Sequence, residues 1–484
     1  MSAQKAEKGK KKAKPHGAPF RDNIEVIVFA IIMALGLKVF ALEAYQIPTG
    51  SMQPNLMGTY LLDESGHGRK GGIYDRVLVD KLSFLLRDPE RWEVVVFRYP
   101  LVAHNNYVKR LVGLSGEQLL VEYGDVRTRP LGDSEAEFKI ARKPDGVQDS
   151  LWRPVWPSPI DDLEAWSAWA LTGSFSRDGQ ARTLRGRGGF ELGGRVRADY
   201  VHGYAAAIYD RVPANVPGAS RRDEVGDLRL QAEVQPGADA APLEIGLRRN
   251  RDYQVRLQLD PAAGKASLEL PDGTSWESPL AMPAGTTVEI DLAHWDEHVR
   301  LRLTAGGTRL VHEADLDVSR REILNNGVWF ESEGGEWNFP TQPRVARDIH
   351  YLPALNHGPT IYDVPEGFYF MMGDNTQNSL DSRDWEAREL DLDPPVDGHS
   401  KLRGDQLRNG SDPFFDNPRW NAAGDQMTFR DEFGELHIVD PESIQDDQRV
   451  PAPLVPRSHI LGKALAVFLP VPPFSPVVRI KTVR

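Results

Sequence analysis

The chain has 484 residues, of which 40% are hydrophobic and 26% charged, and it contains no cysteine. This length and apolar content predict two to four folded units and exclude wholesale disorder. The lack of cysteine excludes disulfides, thiolate metal ligands and a cysteine nucleophile. The formal net charge of −12 argues against a nucleic-acid-binding protein.

The first part of the chain predicts a basic tail followed by a membrane anchor. The first 21 residues hold seven Lys or Arg and one Glu, so the rest of the chain carries −18, from 51 basic and 69 acidic residues. Residues 24–42 are apolar apart from Glu25 and Lys38. A helix of this length is about 28 Å long, which is close to the hydrocarbon core of a bilayer, about 30 Å.

We therefore predict a basic cytoplasmic tail at residues 1–23 and a single transmembrane anchor at residues 24–43. Positive charge on the tail predicts that the rest of the chain lies on the outer side of the cell membrane. The strictly uncharged run is only 12 residues long, however. A cleaved secretory signal therefore remains the alternative interpretation.

Beyond the anchor, short alternating runs of β-branched residues predict a mainly β fold with an antiparallel core and two insertions. Residues 125–350 repeat a period-two alternation between turn signals, which predicts a large inserted β-sandwich-like domain. Residues 386–450 are rich in Asp, Asn, Pro and Arg and predict a looser polar insertion. The core is predicted to comprise residues 44–124, 351–385 and 451–484.

Residues 47–56, IPTGSMQPNL, follow the predicted anchor and contain a candidate nucleophile. Pro48, Gly50 and Pro54 disfavour a helix, so Ser51 is expected on a stiff turn. On its own this segment is more typical of a linker that leaves the membrane. None of the 12 histidines stands in an obviously catalytic setting. The other possible base for a serine is a lysine made neutral by burial.

Residues 106–114, NYVKRLVGL, contain the best candidate for such a lysine. Period-two alternation places Tyr107, Lys109 and Leu111 on one face of the predicted strand. Arg110 points to the opposite face, where it can reach water or a carboxylate. Taken alone, this segment is more typical of an exposed strand lysine.

Residues 371–383, MMGDNTQNSLDSR, form a third polar segment directly after an apolar run. Turn-forming and hydrogen-bonding residues predict a loop here. Such a loop can orient a lysine through a hydroxyl group and brace itself with an Asp–Arg pair. In isolation it is no more than a polar turn.

Taken together, the three segments resemble the type I signal peptidases, membrane-bound Ser/Lys endopeptidases that remove leader peptides from exported proteins. The resemblance covers the anchor and, in the order of the family, residues 47–56, 74–79, 94–116, 364–383 and 455–464. It does not cover most of the two predicted insertions.

The resemblance implies that Ser51 is the nucleophile and Lys109 the general base. Thr49 and the backbone N–H of Ser51 would form the oxyanion hole. The family uses no metal or organic cofactor, and small residues such as Ala are expected at the first and third positions before the cleavage site. Because Ser51 follows the anchor by about nine residues, it is expected near the bilayer surface, flanked by Leu42, Tyr45, Ile47, Met52, Leu56 and Met57.

The third segment carries the implied supporting residues. Ser379 matches the serine that orients the lysine, and Asp381 and Arg383 match a supporting ion pair. Thr376 and Gln377 depart from the Arg and Asp that many relatives carry after the Gly-Asp-Asn triplet. The usual charge bracing of the loop is therefore in doubt.

The resemblance implies a membrane-bound serine endopeptidase that cleaves N-terminal signal peptides from exported preproteins through an acyl-enzyme. Its expected partners are exported preproteins and the lipid bilayer, and no nucleic acid; the sequence predicts no oligomeric state. One alternative is a membrane-anchored binding protein whose inserted β-sandwich recognises envelope or preprotein ligands, with an inactive peptidase core. Another is a soluble Ser/Lys self-cleaving regulator, for which a membrane span has no use.

Overall fold

The computed structural model describes residues 23–30, 41–62, 68–157, 166, 169–178, 181–193, 224–317, 322–353, 361–376, 379–407, 416–469 and 478–484. Within these ranges the chain is mainly β, as the sequence predicted.

The predicted anchor lies only partly within the described residues. Residues 23–30 are helical, whereas residues 31–40 and the basic tail up to residue 22 lie outside. Among the helices that the structure describes, none is long and apolar enough to cross a membrane. A strand, Leu42–Gln46, already begins within the last two positions assigned to the anchor.

The core is built around an eight-stranded antiparallel sheet. Across the sheet, its strands are Leu42–Gln46, Arg76–Asp80, Ile460–Leu469, Val94–Tyr99, Val102–Gly113, Phe368–Met372 and Leu454–Pro456, and Lys481–Thr482 pairs with Ile460–Leu469. The central strand Val94–Tyr99 is buried on both faces because one apolar cluster contacts Val95 and Phe97 and another contacts Val94 and Val96.

Smaller elements complete the core. The short helices are Ser83–Leu86 and Asp145–Leu151, with 3-10 turns at Gly50–Met52 and Arg457–His459. A hairpin pairs Gly58–Leu62 with Gly68–Tyr74. A four-stranded sheet contains, in order, Ile361–Val364, Glu117–Glu122, Asp125–Pro130 and Lys139–Ile140.

The four-stranded sheet extends across the domain boundary that was predicted at residue 125. Asp125–Pro130 pairs with Glu117–Glu122 across a tight hairpin, so this four-stranded sheet of the core continues past residue 125. Tyr123 and Gly124 both have positive φ, 50° and 92°, as tight two-residue hairpin turns require. The first strand of the inserted domain is Arg153–Trp156.

The large inserted domain is β-rich, as predicted. Its main run of paired strands is Ser275–Pro279, Lys265–Glu269, Tyr253–Asp260, Leu243–Asn250, Gly327–Ser332, Ala181–Gly193, Glu336–Phe339, Leu228–Pro236, Val288–Trp295, His298–Ala305 and Thr308–Asp315. Ala170–Asp178 pairs with Ala181–Gly193, and Arg344–Arg347 joins Arg153–Trp156 to Leu228–Pro236. Alternate residues of these strands are buried in one apolar cluster, which also takes up Trp156, Trp166 and Trp169.

The second insertion is more regular than the sequence suggested. One sheet contains His399–Asp405, Glu386–Val396 and Ile444–Pro451, and another contains Arg419–Trp420, Met427–Arg430 and Leu436–Val439, with a 3-10 turn at Pro441–Ser443. These sheets enclose a small core of Leu390, Leu392, Leu402, Met427, Phe429 and Val439. Several of the strands have four residues or fewer, with at most two pointing inward, so no apolar period stands out in the sequence.

A buried ionic cluster joins the inserted β domain to the segment that leads into it. The Lys143 amine contacts both carboxylate oxygens of Asp296, at 2.6 and 2.8 Å, and Oδ2 of Asp348, at 2.9 Å. The backbone N–H of Lys143 also donates to Asp296. All three side chains are almost fully buried. A single lysine is therefore the shared ion-pair partner of two desolvated carboxylates.

Replacing Lys143 with methionine should destabilise the protein. The change leaves the carboxylates of Asp296 and Asp348 buried without their cation, which typically costs about 3 to 5 kcal/mol of unfolding free energy. Denaturant unfolding followed by tryptophan fluorescence measures the effect, and Lys139→Met, on an exposed lysine nearby, is the matched control. Equal unfolding midpoints for the two variants would contradict this interpretation of the cluster.

Candidate active site

Ser51 and Lys109, predicted from separate segments, line the same cavity of the core. The cavity has a volume of about 390 Å³, and its wall also includes Thr49, Tyr107 and Leu380. The strand Val102–Gly113 contributes four consecutive residues to the wall, Asn106, Tyr107, Val108 and Lys109.

Ser51 lies in the 3-10 turn Gly50–Met52, directly after the extended residue Thr49. The Thr49 hydroxyl oxygen is 3.4 Å from that of Ser51. The apolar side chains around this turn differ in role from the sequence expectation. Ile47, Met52 and Leu56 are buried in an apolar cluster of the core, where they anchor the turn that carries Ser51.

A loop from the end of the strand Phe368–Met372 clamps the serine turn. The backbone N–H of Asn375 donates to the Ser51 carbonyl oxygen at 3.1 Å. The Asn375 side-chain amide donates to the Gly50 carbonyl oxygen at 3.0 Å. Gly373 allows this close approach, because an added Cβ would lie 2.1 Å from Ser379 Oγ and 2.5 Å from the Ser51 carbonyl oxygen.

The Lys109 side chain is buried, with 3% of its surface exposed. Its Nζ donates to Ser379 Oγ at 3.0 Å, so the structure brings together the lysine and its predicted orienting hydroxyl. Desolvation lowers the pKa of the Lys109 amine to about 8, against the opposing attraction of the Asp381 carboxylate. A substantial fraction of this amine is therefore neutral near pH 8.

Arg110 points away from Lys109 and forms a buried ion pair with Asp374. Its Nε and Nη2 donate to the two carboxylate oxygens at 2.7 and 2.8 Å, and neither side chain is exposed. Asn55 Nδ2 also donates to Asp374, at 2.7 Å. Of the two partners that the sequence allowed for Arg110, the carboxylate is the one found. The pair joins the lysine strand, the serine segment and the clamping loop.

Asp381 and Arg383 form the predicted ion pair within the loop. Arg383 Nε and Nη2 each donate to Asp381 at 2.8 Å, and Asp381 also accepts the backbone N–H of Gly373. Burial alone would raise the pKa of Asp381, but the Arg383 guanidinium holds it below its usual value.

Thr376 and Gln377 are the two departures from the family pattern in this loop. The Thr376 hydroxyl donates to the His350 carbonyl oxygen at 2.7 Å, and the Thr376 carbonyl oxygen accepts from Arg383. Gln377 lies outside the described residues. At Thr376, these two hydrogen bonds take the place of the arginine charge that many relatives carry.

Three polar residues of this site were not assigned a role from the sequence: Asn55, Asp374 and Asn375. The Gly-Asp-Asn triplet at residues 373–375 and the position of Asn55, four residues after Ser51, were the available signals. Their partners lie hundreds of residues away along the chain, so spacing alone does not predict the contacts.

Two stretches of the chain, residues 20–129 and 328–394, match the family described as signal peptidase, peptidase S26. Probable signal peptidase I-2 of Synechocystis sp. is 36% identical over 126 residues, which are 25% of this chain and 50% of that protein. Signal peptidase I of Pseudomonas fluorescens is 36% identical over 117 residues, which are 24% of this chain and 39% of that protein. The chain thus spans half or less of the length of these relatives.

Among solved structures, peanut lectin with a bound 9-residue peptide covers 39% of this chain and 94% of its own, at 8% identity and a TM-score of 0.26. A likeness this low supports no inference. The sequence matches, in contrast, fall on the segments that carry Ser51 and Lys109. They confirm the resemblance to the type I signal peptidases, which extends over the two matched stretches of the chain.

Proposed function

We propose that this chain is a membrane-bound serine endopeptidase that removes N-terminal signal peptides from exported preproteins through a Ser51/Lys109 dyad. One observation carries the proposal: a serine on a clamped turn and a desolvated lysine line the same cavity. The matches to signal peptidases supply the substrate class.

The reaction begins with neutral Lys109, which accepts the proton of the Ser51 hydroxyl. The serine oxygen then attacks the carbonyl carbon at the cleavage site. The Thr49 hydroxyl and the Ser51 backbone N–H stabilise the resulting oxyanion. Protonated Lys109 gives its proton to the departing amine, and the acyl-enzyme remains on Ser51. The lysine, neutral again, then activates the water that releases the product.

The supporting residues hold the base in position. Ser379 accepts a hydrogen bond from the Lys109 amine, which restricts the rotation of a long side chain. The Asp381–Arg383 ion pair fixes the loop that carries Ser379. The hydrogen bond between Lys109 and Ser379 favours an active peptidase over the alternative of a binding protein with an inactive core.

The membrane anchor at residues 24–43 is part of the proposal. It would hold the cavity close to the bilayer, where the apolar segment of a preprotein presents its cleavage site. Tyr45 and Gln46 line the cavity and lie in the strand Leu42–Gln46, which begins at the end of the apolar segment, and this short connection supports the arrangement. The basic tail would lie in the cytoplasm and the peptidase on the outer side.

The Ser51→Ala and Lys109→Met variants should each abolish cleavage, because one removes the nucleophile and the other removes the base. The assay follows cleavage of a model preprotein by purified full-length protein in detergent, with initial rates compared to those of the wild type. Lys401→Met, on an exposed lysine of the second insertion, is the control and should cleave normally. Cleavage retained by either active-site variant would refute the dyad.

Cleavage should increase with pH, because Lys109 acts as a base only when it is neutral. Its pKa of about 8 places the increase in kcat/KM around that pH, with a limiting slope of about one on a logarithmic plot. Below this pH the amine is protonated and cannot accept the serine proton. A rate profile that is flat through this range, or that decreases across it, would contradict the assignment of the base.

The Ser379→Ala variant should reduce kcat by about 10- to 100-fold with little change in KM, because it frees the lysine amine without changing the cavity wall. Ser382→Ala is the matched control: Ser382 is a buried serine of the same loop whose hydroxyl accepts the backbone N–H of Met371. Steady-state kinetics with a peptide substrate distinguish the two. Equal kcat values in both variants would refute the orienting role of Ser379.

A further inference from the structure

The second insertion, residues 386–450, contacts the wall of the cavity through two stacked tyrosines. Tyr107 lines the cavity beside Lys109. The Tyr99 ring lies parallel to the Tyr107 ring, with centroids 4.5 Å apart and an interplanar angle of 8°. The Tyr99 hydroxyl donates to Oδ1 of Asp405, at 3.0 Å. Asp405 is the last residue of the insertion strand His399–Asp405.

The Asp405 carboxylate is an unusual group to find against this aromatic pair. Its residue is 5% exposed, and desolvation raises its pKa to about 6. A carboxylate in such surroundings depends on the donor that it has, here the Tyr99 hydroxyl. The contact therefore fixes the Tyr99 ring more firmly than apolar packing alone would.

The insertion also holds the tip of the hairpin that carries both tyrosines. The backbone N–H of Ala103 donates to the Glu432 carbonyl oxygen at 3.0 Å. Gly434, with a φ of +91°, lies against the His104 ring, where an added Cβ would be 2.5 Å from Nδ1. The strands Val94–Tyr99 and Val102–Gly113 thus meet the insertion at their shared turn as well as at Asp405.

Trp385, the core residue directly before the insertion, packs against the side of the two stacked tyrosines. Its ring packs edge-on against Tyr99 and Tyr107, with centroid distances of 5.1 and 6.3 Å. Its backbone N–H donates to the Asp381 carbonyl oxygen at 3.1 Å, which links it to the loop that orients Lys109. The insertion is therefore continuous with the active site on two sides.

We infer that the second insertion takes part in substrate recognition. Asp405 is a positioning residue that holds Tyr107 in place through the Tyr99 ring. Tyr107 then forms the part of the cavity wall that selects the side chains of the bound preprotein. This inference rests on the proposed function and deepens it. It assigns a role in specificity to a segment outside the two catalytic side chains.

Two substitutions break the connection while leaving Ser51 and Lys109 unchanged. Tyr99→Phe keeps the stacked ring but removes the donor, and Asp405→Leu removes the acceptor. Asp405→Asn retains an acceptor oxygen and is the conservative variant. Asp391→Asn is the matched control in the same insertion, because Asp391 forms an exposed ion pair with Lys401.

The test measures kcat and KM for two peptides that differ only in the residue before the cleaved bond, alanine or leucine. Tyr99→Phe and Asp405→Leu should raise KM for the alanine peptide about tenfold, with kcat changed less than about twofold, and should reduce the preference for alanine. The double variant should be no worse than either single variant, because both break one connection. Asp405→Asn and Asp391→Asn should behave like the wild type.

A second measurement does not depend on turnover. Calorimetry gives the dissociation constants of the same peptides with Ser51→Ala chains that carry each further substitution, and about tenfold weaker binding is expected for Tyr99→Phe and Asp405→Leu. Binding equal to that of the Asp391→Asn control, or a fall in kcat at unchanged KM, would overturn the inference. A wild type that binds peptide but does not cleave it would instead refute the proposed function alone.

Discussion

The removal of the Lys109 amine from water is the physical constraint on which the active site depends. An ammonium group loses favourable hydration when it is buried, so burial shifts the balance toward the neutral amine. The Asp381 carboxylate opposes this shift, but Arg383 pairs with Asp381 and limits its effect. The lysine therefore stays close enough to neutrality to act as a base, while the loop keeps its charged brace.

Lys109 and Arg110 are adjacent, buried basic residues of one strand, but their surroundings have opposite effects on their charge. Lys109 meets a neutral hydroxyl, and its charge is disfavoured. Arg110, on the other face, meets the Asp374 carboxylate in a two-point ion pair and stays charged. A single loop supplies both partners. The position of this loop against the strand therefore affects both the charge state of Lys109 and the contacts that hold the serine turn.

The sequence was sufficient to predict residues that line one cavity but not most of the contacts that hold them in place. Period-two alternation in a short strand separated Lys109 from Arg110 correctly. The roles of Asn375 and Asp374 depend on contacts between distant segments, which no local pattern encodes. The core of the second insertion was missed in part because several of its strands have four residues or fewer and show no period. The contact of Asp405 with Tyr99 could not be foreseen either, because the two residues are 306 positions apart in the sequence.

Whether the Lys109 amine is neutral can be measured directly by titrating it. Lysine labelled with 13C at Cε, in the Ser51→Ala chain, reports the pKa of Lys109 through its chemical shift, with the Lys109→Met spectrum used for assignment. We expect a pKa of about 8. A value near 10.5, the usual value for lysine, would contradict it.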